Sequence, residues 1–468
     1  MRKDQPNPPG GVPATAARPG ETYARWAWAE RAVWTERMLD ALERGVQGGR
    51  WHSLSDKVWR PENLAVAWEQ VRKNKGAPGA DRVTLGGYER QKERNLADLH
   101  TSLRDGTYRP GTILRKHIPK PGRPGQTRPL GIPGVRDRIV QTALRNVLEP
   151  IFERTFAEHS YGFRPKRGAK DALRRVQALI GIGYTHVVDA DLKAYFDTIP
   201  HESLMAAVSE QVADRTVLAL VRSFLRQPVL DGDATVVPEV GTPQGAVISP
   251  LLANIYLTPL DHLMAREGFE MVRYADDFVI LCRTAEEARR ALDVVRTWTA
   301  SAGLTLHPEK TRLVDLNFGG YFDFLGYRFR RQDCEVTPKN KDRLRDRVRE
   351  LTPRNSGIAT GTIVAKLNAV LRGWHEYFKH GHKAAFVRLD QFVRQRLRAV
   401  LWRRQKRKGM PSAHANHMWP NAFFAKLGLV SLVEARALAV QSVRAANLRP
   451  ESRVREIRPH GSEGGEAG

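Results

Sequence analysis

The chain has 468 residues, with 76 Lys and Arg against 51 Asp and Glu, a formal net charge of +25 and a pI near 10.4. That length calls for two or three domains, and a hydrophobic share of 41% supports folded cores rather than a disordered chain. The basic excess points to a polyanion, nucleic acid above all, and the two cysteines, Cys282 and Cys334, exclude a disulfide framework and a Cys-rich zinc site.

Residues 1–20, rich in Pro, Gly and Ala, read as a disordered lead. Residues 21–107 form an N-terminal extension: an amphipathic helix from Trp26 to Arg44, then a helix running past Trp68 into the glycine-punctuated loop Gly76–Asp81. That loop is either a surface turn or a basic loop open to a phosphate chain. No apolar run is long enough to span a bilayer and no signal-peptide pattern opens the chain, so we expect no membrane partner and a cytoplasmic location.

Residues 108–340 carry the densest motifs. The spacer at 121–126 separates two short apolar runs, as in a hairpin with Lys120 and Arg128 on facing strands near its base. Such a pair could hold a triphosphate, Lys as a point charge and Arg as a bidentate fork, or be plain solvated strand charges. A helix from Asp137 to about Phe152 follows, ended by the Pro150 region. The aromatic-basic loop Ser160–Pro165 precedes a helix over 168–180. In the strand 185–192, alternation puts Asp189 and Asp191 on one face. At 241–257 a glycine-flanked Gln244 opens a long apolar helix.

In Arg273–Ile280, two adjacent carboxylates stand between apolar residues of strand type, which predicts a hairpin presenting Asp276 and Asp277 at its turn. From these eight residues alone, an exposed turn and a metal site are equal readings. Two anions at the tip of a buried hairpin repel each other and resist desolvation, and hard oxygen ligands suit Mg²⁺. With Asp191 as a third ligand, two Mg²⁺ ions about 4 Å apart could clamp the attacking 3′ oxygen and the leaving pyrophosphate. Lys120 and Arg128 would suit the triphosphate, Gln244 the base pair, and Phe196 would crowd a ribose 2′-OH.

A helix over 284–303, the segment His307–Thr311 and an aromatic hairpin at 320–329 follow. Residues 341–450 read as Arg-rich helices, with Trp374, Tyr377 and Phe378 either an RNA surface or core packing. Their sharpest basic run, Arg403–Lys408, closes an amphipathic helix that begins near Phe386. Residues 451–468 read as a flexible tail.

Arg128–Pro133, Ser160–Pro165, Asp191–Asp197, Gly241–Leu257, Tyr274–Asp277, His307–Thr311 and Phe322–Gly326 together resemble, in order, the successive blocks of the reverse transcriptases encoded by bacterial group II introns. Leu367–Phe378 is similar to that family's maturase, or thumb, signature. The resemblance spans roughly residues 25 to 450. It implies an α+β right-hand polymerase: fingers, a palm with an antiparallel sheet, and a helical thumb/maturase domain. The activity implied is RNA-directed DNA polymerization, with assistance to intron splicing and retrohoming.

By that match, Asp191, Asp276 and Asp277 would hold two Mg²⁺ ions. Lys120, Arg128, Phe196 and Gln244 would contact the dNTP, and Phe324, Leu325 and Gly326 would form the primer grip. Lys310 would donate a proton to pyrophosphate, although a plain helix-turn lysine fits the position nearly as well. Arg372, Arg403, Arg404, Lys406 and Arg407 would bind RNA. The partners implied are group II intron RNA, an RNA template with a DNA primer, target DNA and dNTPs, with a homodimer left open. With two cysteines, both before residue 340, the family's Cys- and His-rich endonuclease is not expected. Two other readings compete: a host-adopted reverse transcriptase serving repair or phage defence, and a splicing factor acting mainly by RNA binding.

Overall fold

The computed structural model describes residues 25–119, 125, 127–355, 357–407 and 413–447. Lys120 and Lys408 lie outside them. The chain divides into two units, Met1–Leu325 and Gly326–Gly468, a break ahead of the composition change near residue 340.

In the first unit the organising sheet is antiparallel, with order β6-β7-β3-β8: β3 is His186–Asp191, β6 Glu270–Tyr274, β7 Asp277–Cys282 and β8 Arg312–Asp315. β7 is buried along Phe278–Cys282 because its side chains are apolar on both faces. A second sheet has order β2-β1-β4-β5, with β1 at Ile113–Pro119, β2 at Thr127–Ile132, β4 at Val229–Asp231 and β5 at Ala234–Val236. β1 and β2 pair antiparallel, and Ile118 faces Arg128, so the expected hairpin strands are present.

Helices α1 (Pro61–Lys73), α2 (Val135–Glu153), α3 (Ala169–Gly181), α4 (Ser249–Arg266) and α5 (Ala285–Ser301) surround these sheets. α3 packs on β6 and β7, and α5 on β3, β7 and β8. α4 is apolar on most sides and buried to match, as the run after Gln244 requires, and α2 is buried almost as fully although it carries polar residues such as Asp137, Gln141 and Asn146 in its interior. The helix itself starts at Ser249, so Gln244 sits in the loop ahead of it rather than at its first turn. No helix among the described residues is long and apolar enough to cross a membrane.

One sequence expectation holds and another fails here. α2 spans Val135–Glu153, close to the helix expected from Asp137 to about Phe152, and it runs through Pro150 before it ends. Pro150 lacks the N–H that would bond the Asn146 carbonyl, and the buried Trp34 indole donates to that carbonyl instead, at 2.9 Å. The stretch Trp26–Arg44 is not one helix: irregular turns precede a helix at Glu36–Arg44. Trp26, Ala29, Val33 and Trp34 are buried along this irregular stretch all the same.

The second unit is helical, with α6 (Pro338–Leu351), α7 (Thr360–Phe378), α8 (Lys383–Arg404) and α9 (Leu432–Asn447). Its core joins Val348, Leu367, Leu371, Phe386, Val393 and Leu397. The buried Asp390 accepts from Leu432 N at 3.0 Å and Val433 N at 3.2 Å, satisfying the first amides of α9. Trp374 packs against Phe378 and Phe386, with ring centroids 4.9 and 5.8 Å away, so of the two readings of these aromatics the structure shows core packing.

Candidate active site

β3 runs through the middle of the first sheet and ends at Asp191, and register does the rest. Asp191 faces Asp277, the first residue of β7, and Tyr274 faces Asp277 across the hairpin, leaving Ala275 and Asp276 as its two-residue loop. Local alternation thus delivers Asp277 to the strand end and Asp276 to the turn, and non-local pairing sets Asp191 beside them. All three are half-buried.

Burial pushes the Asp277 carboxyl up to about 7, and its neighbours Asp276, Asp189 and Asp191 add repulsion. Asp276 is raised for the same reasons, burial first and Asp191 after it. Asp189 lies on the same face of β3, and Arg312 Nε donates to its Oδ2 at 3.0 Å, so that carboxylate has a cation of its own. Lys310 pairs with Asp191. The segment that carries it docks on the end of β3, with His307 N donating to the Asp191 carbonyl at 2.7 Å and Lys193 N to Thr305 O at 2.8 Å.

Three hard carboxylates, two of them held at raised pKa, are the donor set a divalent cation would relieve. In the geometry with Lys310 on Asp191, no group of three or more His, Cys, Asp or Glu side chains among the described residues is arranged to share an ion. The donors suit such an ion by their chemistry, and Lys310 is the cation that pairs with Asp191.

Phe196 follows a left-handed turn at Ala194, φ 50°, on the short helix Tyr195–Thr198. Its neighbour Tyr195 anchors that helix by donating to the Ala253 carbonyl at 2.6 Å, and Phe196 meets Tyr195 edge-on at 5.6 Å. The loop 241–248 lies directly on this helix: Thr242 N donates to Phe196 O at 2.6 Å and Gly241 N to Ile199 O at 2.8 Å. The same loop reaches β2, where Gly131 N donates to Gln244 O at 2.6 Å, and it is held from α2 by Gln141 Oε1, 2.7 Å from Val247 N.

A cavity of 280 Å³ opens between these pieces, lined by Ile113, Arg115, Gly131, Asp197, Thr242 and Gln244 among others. Sequence reasoning missed Arg115, Asp197 and Gln141. Alternation along β1 could have paired Arg115 with Ile113 on one face, but nothing local says that this face meets the 241–248 loop. Arg128 is exposed on β2, while Pro129 and Gly131, on that strand's other face, line the cavity.

The remaining expected residues scatter. Phe324 is fully buried in the strand Phe322–Phe324, Leu325 has a left-handed φ of 48°, and Gly326, φ 86°, opens the second unit. Arg138 Nη2 bonds the Ala77 carbonyl at 2.9 Å, tying the loop 76–81 to α2. In the second unit Arg372, Arg403, Arg404, Lys406 and Arg407 are all exposed. Arg404, however, bonds Thr360 Oγ1 at 2.7 Å and the Ile358 carbonyl, and the Arg407 guanidinium lies 4.7 Å over the Trp402 ring. α8 starts at Lys383 and ends at Arg404, so Lys406 and Arg407 stand just beyond its C-terminus.

Two known families match successive parts of the chain. Residues 118–329 match the family described as reverse transcriptase (RNA-dependent DNA polymerase), and residues 341–419 match the maturase-specific domain of group II introns. Protein YkfC of Escherichia coli is 34% identical over 59% of this chain and 82% of its own length. The group II intron-encoded protein LtrA of Lactococcus lactis is 37% identical over 43% of this chain, which spans only 33% of LtrA. Among solved structures, a partial Cas6-RT-Cas1–Cas2 complex aligns with a TM-score of 0.34 and 23% identity, over 53% of this chain and 43% of that one. The chain belongs to the family of group II intron-encoded reverse transcriptases and maturases, RNA-directed DNA polymerases of the right-hand fold.

Proposed function

We propose that Asp191, Asp276 and Asp277 hold two Mg²⁺ ions and that the chain copies RNA into cDNA at this point by nucleotidyl transfer. The observation that carries the reading is the register: Asp191 faces Asp277 across the sheet, with Asp276 in the adjoining turn. When bound, the ions would supply charge neutralisation at the attacking 3′ oxygen and along the leaving pyrophosphate.

The chain's own residues do the rest. Phe196, fixed by Tyr195 and by the 241–248 loop, closes one side of the nucleotide site and crowds a 2′-OH. Gln244 and Arg115 line the cavity, Gln244 toward the base pair and Arg115 as a cation for the triphosphate, and Lys120 and Arg128 are the further cations that the family's motif assigns to the dNTP. Lys310 already touches Asp191, so it stands within reach of the leaving group as a proton donor. Phe324, Leu325 and Gly326 grip the primer. The helical unit binds group II intron RNA through Arg372, Arg403, Lys406 and Arg407, assisting splicing and, with target DNA, retrohoming.

Primer extension on an RNA template with Mg²⁺ and dNTPs tests the reading. Asp276→Ala should abolish cDNA synthesis with RNA affinity nearly unchanged, and normal residual extension would overturn the metal assignment.

A further inference from the structure

Arg273 is the penultimate residue of β6, next to the turn-flanking Tyr274, and it is completely buried. A guanidinium there must have its donors engaged. Nε bonds Asp261 Oδ1 at 2.7 Å while Nη2 takes the other oxygen, and Nη1 donates both to Asn254 Oδ1 and to the Ala275 carbonyl, each at 2.9 Å. Asn254 and Asp261 stand two turns apart on one face of α4. The backbone of Arg273 is pinned as well, its N–H donating to His159 O at 3.0 Å and its carbonyl accepting from Tyr161 N at 2.8 Å.

What this clamp holds is strained. Ala275 has φ 60°, and the first residue of a two-residue hairpin loop takes that left-handed conformation readily only as glycine. Ala275 is also buried against the Ser160–Pro165 loop, so closely that a Cβ on Gly162 would sit 2.3 Å from its nitrogen. Asn254 Nδ2 fastens that loop by bonding the Gly162 carbonyl at 2.8 Å. The carbonyl that Arg273 grips belongs to the peptide whose nitrogen is that of Asp276. Fixing that peptide plane fixes the direction in which Asp276 leaves the turn.

We propose that Arg273 is a positioning residue of the polymerase site: held by Asp261 and Asn254, its guanidinium locks the left-handed Ala275 turn and so aims Asp276 and Asp277 at Asp191. The inference rests on the reading of those three aspartates as the metal-holding set. A buried ion pair that served packing alone would not need the further bond to the turn carbonyl, and an apolar pair would pack as well.

Arg273→Lys keeps the charge beside Asp261 but lacks the fork that spans Asp261, Asn254 and Ala275. Its expected signature is a kcat for primer extension lower by at least about tenfold, with little change in primer–template affinity and a higher Mg²⁺ concentration at half-maximal rate. Adding Ala275→Gly, which adopts the turn without strain, should restore part of the lost kcat relative to Ala275→Gly alone. A purely structural role predicts a lower melting temperature with no such rescue, and that result overturns the proposal, as does Arg273→Lys with wild-type kcat and Mg²⁺ dependence. Should Arg273→Lys fail to fold, Asn254→Ala carries the same test, because it loosens the guanidinium while keeping the Asp261 pair. Asp276→Ala run in parallel separates the two ideas. If it still extends, the site reading fails; if it is dead while Arg273→Lys and Asn254→Ala are normal, only the positioning role fails.

Discussion

Asp277 is the residue at which burial and charge conflict most openly. Its carboxyl is pushed up to about 7 by desolvation and by three neighbouring aspartates. A folded-state value above the unfolded one means the folded chain binds the proton more tightly, so stability from this group falls as pH rises from about 4 to about 7. A divalent cation must displace the same proton. The apparent Mg²⁺ requirement for extension should therefore rise as pH drops from about 8 to about 6. Titrating Mg²⁺ by primer extension at both values checks this. Melting of the metal-free protein should show a matching loss of stability toward higher pH, which Asp277→Asn should flatten.

At the scale of elements, the cavity lined by Asp197, Thr242 and Gln244 depends on how closely the 241–248 loop seats on the Phe196 helix. Gly241 makes that approach possible: φ is 84°, and a Cβ there would stand 2.8 Å from the Asp197 carbonyl carbon and oxygen. Its own carbonyl accepts from the buried His201 Nε2 at 2.7 Å, so the loop cannot shift without breaking that bond. Gly241→Ala should lift the loop from Phe196, raising the KM for dNTP and increasing ribonucleotide incorporation. Competition between dNTP and rNTP in single-nucleotide extension measures both. Unchanged sugar discrimination would mean that the loop does not support the Phe196 wall.

For the molecule as a whole, the net charge of +25 makes a salt-dependent grip on nucleic acid the expected energetic signature. Exposure and bonding sort the basic residues of the second unit. Arg403 and Lys406 face solvent, whereas Arg404 ties α8 to Ile358 and Thr360. Arg403→Ala with Lys406→Ala should weaken RNA binding and reduce the slope of log K against log salt by roughly one for each phosphate no longer neutralised. Arg404→Ala should act more on thermal stability than on that slope. Filter binding across a salt series, beside melting curves, distinguishes the two.

Local pattern alone carried a good part of this. Phe278–Cys282 reads as a buried strand because it is apolar without alternation, and the hairpin turn is legible from the strands on both sides, although its two-residue loop is Ala275–Asp276 and Asp277 opens β7 instead of sharing the turn. The Lys and Arg excess announced nucleic acid, and the order of seven motifs identified the family. Local pattern did not bring Asp191 beside Asp277, since pairing between distant strands has no signature in either strand; Asp191 entered as the third carboxylate that the Asp276–Asp277 pair lacked, and the sheet register displays it facing Asp277. The Asn146 carbonyl that Pro150 leaves without an N–H partner is met by the indole of Trp34, far away in the chain. The cavity joins Arg115, Asp197 and Gln244 from three separate segments, and the clamp on Ala275 joins Arg273 to two turns of α4. Periodicity reports which face of an element is apolar, whereas the partner that meets that face is chosen by packing and by the need to satisfy each buried polar group.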